Sequence, residues 1–293
     1  MESGILLLDK PAGLSSNAAL QRVRRTLGAH KAGHVGSLDP LATGMLPICL
    51  GEATKIAGEI LAGRKCYRFT IGLGLRTATG DVAGAVVETA PVPALNESAI
   101  DAVLQGFLGP QTQIPPMYSA IKRAGQPLYK LARAGLEVER EARPIELFAL
   151  RLLAFSAAAR LELQALCSKG TYVRTLAQDI AKALGTCGHV TALRRLYVEP
   201  FEGESMETLD SVAAARQAGA WPRILPPDQP LGHLSAISLE LTDAMRLRHG
   251  QAVTVPATGL PCRVRLYDEA GRFLGIGESD GLGSVQPRRL FVF

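Results

Sequence analysis

No stretch of the chain approaches the ~18 consecutive apolar residues that a membrane-spanning helix requires. The longest apolar run near the start, Ile5–Leu8, is four residues long and is followed at once by Asp9 and Lys10, so no secretory leader is expected. A cytoplasmic protein is the expectation. Cysteine is scarce, with five residues (Cys49, Cys66, Cys167, Cys187, Cys262), none in a CxxC pair and none beside a histidine at ligand spacing. A zinc site or a disulfide framework is therefore not expected, and buried small hydrophobes are the better reading of all five. There is no GxxxxGK[ST] phosphate-cradling loop, no internal repeat and no low-complexity tract. What is present is an ordinary globular composition: 293 residues, 47% apolar and 20% charged, too apolar for disorder. That length suits one large domain plus a small one, or two medium ones.

Lysine is also scarce, with eight residues against 24 arginines, in a chain of net charge +5. Arginine forks suit phosphate and stack on bases, so the bias fits a nucleic-acid partner. A GC-rich genome raises arginine as well, so composition alone argues this weakly. The sequence has a local focus of positive charge. Helical spacing of Leu20, Val23 and Leu27, with Ser15 and Ser16 able to cap and Gly28 to stop, predicts a helix over about 17–27 whose other face carries Arg22, Arg24 and Arg25.

That helix leads into the most unusual loop of the chain, Gly33-His34-Val35-Gly36-Ser37-Leu38-Asp39-Pro40-Leu41-Ala42-Thr43-Gly44. Its glycines and proline imply special backbone dihedrals. Strands are expected at 4–8, over Cys66–Gly74, and at Leu147–Leu153 and Leu161–Cys167, with Val82–Glu88 pairing back onto Cys66–Gly74 through a Thr77–Gly80 turn. Asn96 should cap a helix carrying Ile100, Val103, Leu104 and Phe107, and Val173, Leu176, Ile180 and Leu184 mark another that stops at Gly185. The proline-rich, basic stretch 110–144 reads as a projecting insertion, and 219–232 as a proline-dense linker to a small β-rich domain.

An Asp before Pro is pushed out of the helical region, so Asp39 can project from a rigid loop. For an isolated Asp-Pro, a turn aspartate bonding its own backbone is the stronger reading. If Asp39 is chemical, the loop offers no second acid to pair with it, as glycoside hydrolysis would need. It would then act as a lone ionised nucleophile and need a cation to hold its pKa down. Ser168-Lys169-Gly170-Thr171-Tyr172-Val173-Arg174, joining a strand to a helix, contains a candidate. Taken alone, that segment reads as a surface arginine beside a half-buried tyrosine.

Together the two segments, with Leu7-Leu8-Asp9-Lys10-Pro11, Lys65-Cys66-Tyr67, Pro116-Met117-Tyr118-Ser119-Ala120, Arg140-Glu141-Ala142-Arg143-Pro144 and Leu193-Arg194-Arg195-Leu196, strongly resemble the B-type tRNA pseudouridine synthases. The blocks stand in the family's order over most of residues 4–200. The resemblance implies an enzyme that isomerises the T-loop uridine at position 55 of tRNA to pseudouridine, by base flipping and without cofactor or metal. It implies a mixed α/β fold with a central, mainly antiparallel sheet flanked by helices, in a catalytic domain at 1–230. A mobile thumb at about 110–144 and a PUA-like RNA-binding domain at 233–293 are further expectations.

By matching motif positions, Asp39 would be the nucleophile, Tyr67 the tyrosine packing on the target base and handling a proton, and Arg174 the partner of the aspartate. Tyr172 and Leu196 would line the base pocket, Lys10 would buttress it, His34 would insert into the RNA loop, and Asp81 would help arrange the flipped nucleotides. Arg22, Arg24 and Arg25 on the first helix, and Lys122, Arg123, Lys130 and Arg133 on the thumb, would hold phosphates. The sequence departs from the family at Val35, Ser37 and Ala78, the last in place of an aspartate that many relatives carry. The expected partner is the T arm of tRNA, with no membrane, no obligate protein partner and a monomeric state. A non-catalytic tRNA-folding chaperone and a guide-RNA-dependent synthase of the same superfamily are the alternatives.

Overall fold

The structure, a computed structural model, describes residues 3–123, 125–156, 159–257 and 259–292. Eight strands form the main sheet, in the spatial order Gly4–Lys10, Thr43–Leu50, Gly188–Val198, Lys65–Leu73, Arg160–Cys167, Arg143–Ser156, Gly109–Gln113, with Ala32–His34 pairing Thr43–Leu50 off that path. All pairings in it are antiparallel except that of Gly188–Val198 with Thr43–Leu50. Both faces of the first strands are covered, which is why Ile5–Leu8 is apolar without alternation. Leu6 and Leu8 join Leu46 and Ile48 in one core, while Ile5 and Leu7 join Met45 and Cys49 in another.

The first helix, Ser16–Leu27, forms as its spacing predicts. Ser15 accepts from the Ala18 amide at 3.1 Å, Gly28 closes it at φ +63°, and Ala19, Leu20, Val23 and Leu27 are buried. The second long helix, Val173–Ala183, buries Val173, Leu176, Ala177 and Ile180 and starts directly at Arg174's turn.

Three expectations need correction, and one helix was not expected. The Val86–Thr89 strand pairs with Leu75–Thr77, not with Lys65–Leu73, whose two neighbours are Gly188–Val198 and Arg160–Cys167. Leu75–Thr77 is the nearer segment, and the long-range partners already occupy both edges of Lys65–Leu73. The beginning of the 110–144 stretch is not projecting, because Gly109–Gln113 pairs with Arg143–Leu147 and Gln113 is buried. Residues 219–232 are not a free linker. Leu225 exchanges two backbone hydrogen bonds with Ile5, at 2.9 and 2.8 Å, closing the exposed edge of the first strand. A helix at Leu209–Gln217, whose Thr208–Ser211 capping box was legible but not read, packs against the first helix.

Residues 235–290 form a five-stranded sheet, ordered Ser235–Leu239, Cys262–Asp268, Phe273–Ser279, Ser284–Leu290, Val253–Thr254, with a helix at Leu241–Arg248. Phe273, Ile276 and Phe291 pack with Ile56, Ile60 and Phe201 of the preceding part. Lys55 Nζ donates to the Leu290 carbonyl at 2.6 Å, and Arg263 forks onto Glu59 at 3.0 and 2.8 Å. No helix among the described residues is long and apolar enough to cross a membrane.

Candidate active site

The Gly33–Gly44 loop is fixed by hydrogen bonds on both sides of Asp39. Ser16, which was expected only as a possible helix cap, instead faces inward. Its Oγ accepts from the Leu38 amide at 2.7 Å and donates to the Leu38 carbonyl at 3.0 Å. The Pro40 carbonyl accepts from the Gly13 amide at 2.8 Å, and the Asp39 carbonyl from the Ala42 amide at 3.0 Å. Lys10 is fully buried, and its ammonium donates to the carbonyls of Pro11 (2.8 Å), Leu14 (2.7 Å) and Pro40 (3.4 Å). Burial pulls the Lys10 amine down to about 8, against the attraction of Asp39 and helped by the repulsion of Arg195.

Arg174 comes from the first turn of the Val173–Ala183 helix, which packs into the same core as the first helix and Leu38. It is 4% exposed and forks onto Asp39, Nε to Oδ2 at 2.7 Å and Nη2 to Oδ1 at 3.1 Å. Its remaining donors go to the Thr79 carbonyl at 2.8 Å and the Tyr118 carbonyl at 2.7 Å. One guanidinium therefore ties together the Asp39 loop, the 77–81 turn and the base of the 110–144 stretch. A cation in the first turn of a helix opposes the helix dipole, and Asp39 offsets that cost. Tyr172 is extended at φ −97°, ψ 108°, but the helix begins at Val173, so Tyr172 and Arg174 are presented by different backbone conformations.

The carboxyl of Asp39 is raised, not lowered. Burial dominates, Arg174 opposes it, and Asp81 adds to it. The cation expected beside Asp39 is present as Arg174, but burial outweighs it. The loop itself offers no second acid, because that acid is remote in sequence. Asp81 lies with its Oδ2 4.0 Å from Arg174 Nε, buried, and its Oδ1 accepts from Thr79 Oγ1 at 2.6 Å and the Ala83 amide at 3.0 Å.

Tyr67 is buried on the Lys65–Leu73 strand, directly opposite Arg195 in the antiparallel ladder. Burial pushes its phenol up, while Arg195 opposes that shift. Leu196 occupies a bulge, since Arg195 pairs with Tyr67 and Tyr197 with Cys66, which leaves Leu196 unpaired between them. His34 ends its strand opposite Ile48. Its Nδ1 is buried without a hydrogen bond among the described residues, and burial lowers its pKa. Gln113 had no sequence signal. Buried, it accepts from the Tyr172 amide at 2.7 Å and donates to the Tyr172 carbonyl at 3.1 Å, fixing the chain two residues before Arg174.

The surface residues are dispersed. Arg22, Arg24 and Arg25 are exposed, but Arg24 donates to the carbonyls of Ala29 and His30 at 3.0 Å each and so serves the end of its helix. Lys122, Arg123, Lys130 and Arg133 are exposed on a short hairpin and the helix Leu128–Arg133. Arg123 bonds the Glu139 carbonyl, and Arg133 lies 5.6 Å from the Tyr129 ring centre. No cluster of three or more potential metal-ligating side chains occurs among the described residues.

Scaffold and site together define a pseudouridine synthase. The solved structures it matches include a Cbf5-Nop10-Gar1 complex, with a TM-score of 0.73 at 23% identity over 99% of this chain and 85% of that one, a likeness of fold. Residues 24–173 match the TruB family pseudouridylate synthase (N terminal domain) model. Residues 174–227 match the tRNA pseudouridylate synthase B C-terminal domain, and residues 235–291 the C-terminal region of pseudouridine synthase II TruB. The chain is 48% identical over 289 residues to tRNA pseudouridine synthase B of Chromohalobacter salexigens, covering 98% of this chain and 94% of that protein. It is 49% identical over 289 residues to the protein of the same name from Aromatoleum aromaticum, covering 98% and 92%. The chain belongs to the TruB family of pseudouridylate synthases.

Proposed function

We propose that the chain isomerises the T-loop uridine at position 55 of tRNA to pseudouridine. The observation that carries this reading is the Asp39–Arg174 fork, set beside Tyr67 in a chain of this family. The reaction breaks the N1–C1′ bond and forms a C5–C1′ bond on the same base. C5 releases its proton to solvent and N1 gains one, so nothing is oxidised or reduced.

In this reading Asp39 is the nucleophile and Arg174 its counter-ion. Tyr67 packs on the flipped base and handles its proton. Tyr172 and Leu196 wall the pocket, Lys10 supports the loop from beneath, His34 enters the space vacated by the base, and Asp81 orients neighbouring nucleotides. Extruding a stacked uridine costs about a few kcal/mol, which stacking on Tyr67 and contacts from His34 offset. The exposed arginines and lysines of the first helix and of the thumb hold phosphates, and residues 233–293 add a PUA-like auxiliary contact. The protein acts as a cytoplasmic monomer without an obligate partner.

Tritium release from a T-arm stem-loop labelled at C5 tests this directly. The purified chain alone should release tritium, and Asp39→Asn should bind the RNA without releasing it. Full activity of Asp39→Asn removes the nucleophile from the scheme, and a wild-type chain that needs a guide RNA removes the T-arm reading.

A further inference from the structure

Arg195 is 1% exposed, and among the described residues no carboxylate pairs with it: Nε donates to the Met45 carbonyl at 2.7 Å, Nη2 to the Gly36 carbonyl at 2.7 Å, and the guanidinium also hydrogen-bonds the Tyr67 side chain. Burying an unpaired guanidinium is expensive, so its retention calls for a function. The two carbonyls stand on either side of Asp39, one in the glycine-rich loop and one on the strand that follows it. The backbone of Arg195 lies equally close, since it runs parallel beside Gly44, where an added Cβ would sit 2.1 Å from the Arg195 carbonyl oxygen. On its other side Arg195 pairs directly with Tyr67, and paired residues of an antiparallel ladder project to the same face.

We propose that Arg195 is a positioning residue for the isomerisation, clamping both flanks of the Asp39 loop against the strand that carries Tyr67 and holding a fixed positive charge beside the Tyr67 oxygen. The inference rests on the reading of Asp39 and Tyr67 given above. In it, Tyr67 first loses its proton to solvent. The phenolate then takes the proton leaving C5, returns to phenol, and passes that proton to water. The guanidinium lowers the cost of the phenolate, in a site where burial alone would keep the phenol intact. The groups that face Tyr67 are Arg195, the Cys167 thiol and Asp39, and Arg195 in turn acts on Lys10, His34 and Lys65.

The test measures single-turnover tritium release by the full chain on the T-arm stem-loop across pH, beside RNA affinity and thermal melting, for wild type, Arg195→Lys, Arg195→Gln and Tyr67→Phe. Arg195→Gln should be roughly 100-fold slower with RNA affinity little changed. The pH of half-maximal rate should rise by about one unit. Arg195→Lys, which keeps the charge but not the fork, should be slower with a smaller displacement of the pH profile. A folded Gln chain with the wild-type rate and profile overturns the proposal. So does a loss equal at every pH in both variants, or loss of the folded state in both, since either makes Arg195 structural only. A Tyr67→Phe chain at full rate is a separate result that overturns the Tyr67 reading itself and this proposal with it.

Discussion

Arg174 holds Asp39 with both edges of its fork, at 2.7 and 3.1 Å, while the same guanidinium carries the Thr79 and Tyr118 carbonyls. Four segments far apart in sequence meet on one side chain. Arg174→Lys keeps the charge but cannot serve four acceptors. We expect the single-turnover rate on a T-arm stem-loop to fall by roughly 100-fold, the scale of a misplaced reacting group. Asp39 is one-third exposed, with 33% of its side chain accessible. The stability loss should therefore be about 1–3 kcal/mol, below the 3–5 typical of a broken, fully buried pair. Denaturant titration beside the rate measurement separates the two effects.

As the proposed nucleophile, Asp39 with its raised carboxyl should add a second, more acidic limb to the pH–rate profile, below the limb that Tyr67 sets. Asp39 must be ionised to act, so activity is lost as pH falls through its folded-state value, which lies above the ordinary aspartate value. Arg174 lowers that value and burial raises it. Arg174→Gln should consequently move this more acidic limb to higher pH, and a limb left in place would show that another group controls it.

Lys10 gives a prediction for stability of the opposite kind. Its folded-state amine is held down to about 8, against 10.5 when exposed. Between those values the unfolded chain binds more protons than the folded one, so this group adds stability as pH rises. Melting temperatures of wild type and Lys10→Met should therefore diverge in favour of wild type as pH climbs from 8 towards 10.5. The variant should also lose activity, on the order of 10-fold, because the Pro11 and Leu14 carbonyls lose the Lys10 donor and the Pro40 carbonyl next to Asp39 keeps only the Gly13 amide.

Gln113 should matter although it touches no predicted catalytic atom. It satisfies both the amide and the carbonyl of Tyr172. Gln113→Leu leaves the part-buried Tyr172 amide without its partner, at about 1–3 kcal/mol, while the Tyr172 carbonyl keeps the Leu176 amide at 3.0 Å. Activity should fall with Tyr172 and Arg174 displaced together. Gln113→Glu should be worse at neutral pH, since a carboxylate faces the Tyr172 carbonyl, and should recover partly in acid.

The sequence carried a great deal of this structure where the determinants are local. The Ser15 cap, the Gly28 stop and the alternation along residues 65–73 are short-range signals, and each element formed as read. The Asp39 loop was legible from its glycines and proline, and its resemblance to a family supplied Arg174 across 135 positions. Pairings between distant segments were not legible. Val86–Thr89 pairs with the nearby Leu75–Thr77 because both edges of Lys65–Leu73 are taken by Gly188–Val198 and Arg160–Cys167, partners that lie far along the chain. Nothing in a lone glutamine announces that it will bracket Tyr172. Arg195 lay in plain view within Leu193–Leu196, but its burial depends on strands that the sequence does not show to be adjacent.

The strand Gly188–Val198 lies between Thr43–Leu50 and Lys65–Leu73. Of those two, the first follows the Asp39 loop and the second carries Tyr67; both leave the ribosome early, and in the finished sheet each pairs with the later segment and not with the other. Synthesis thus proceeds for more than a hundred residues with the central gap of the sheet unfilled. Such distant pairing is slow to form, and unpaired strand edges meanwhile invite unwanted association. A nascent chain halted before that insertion would contain Asp39 and Tyr67 and still be catalytically mute, so the enzyme is switched on by nearly the last act of its main domain's assembly.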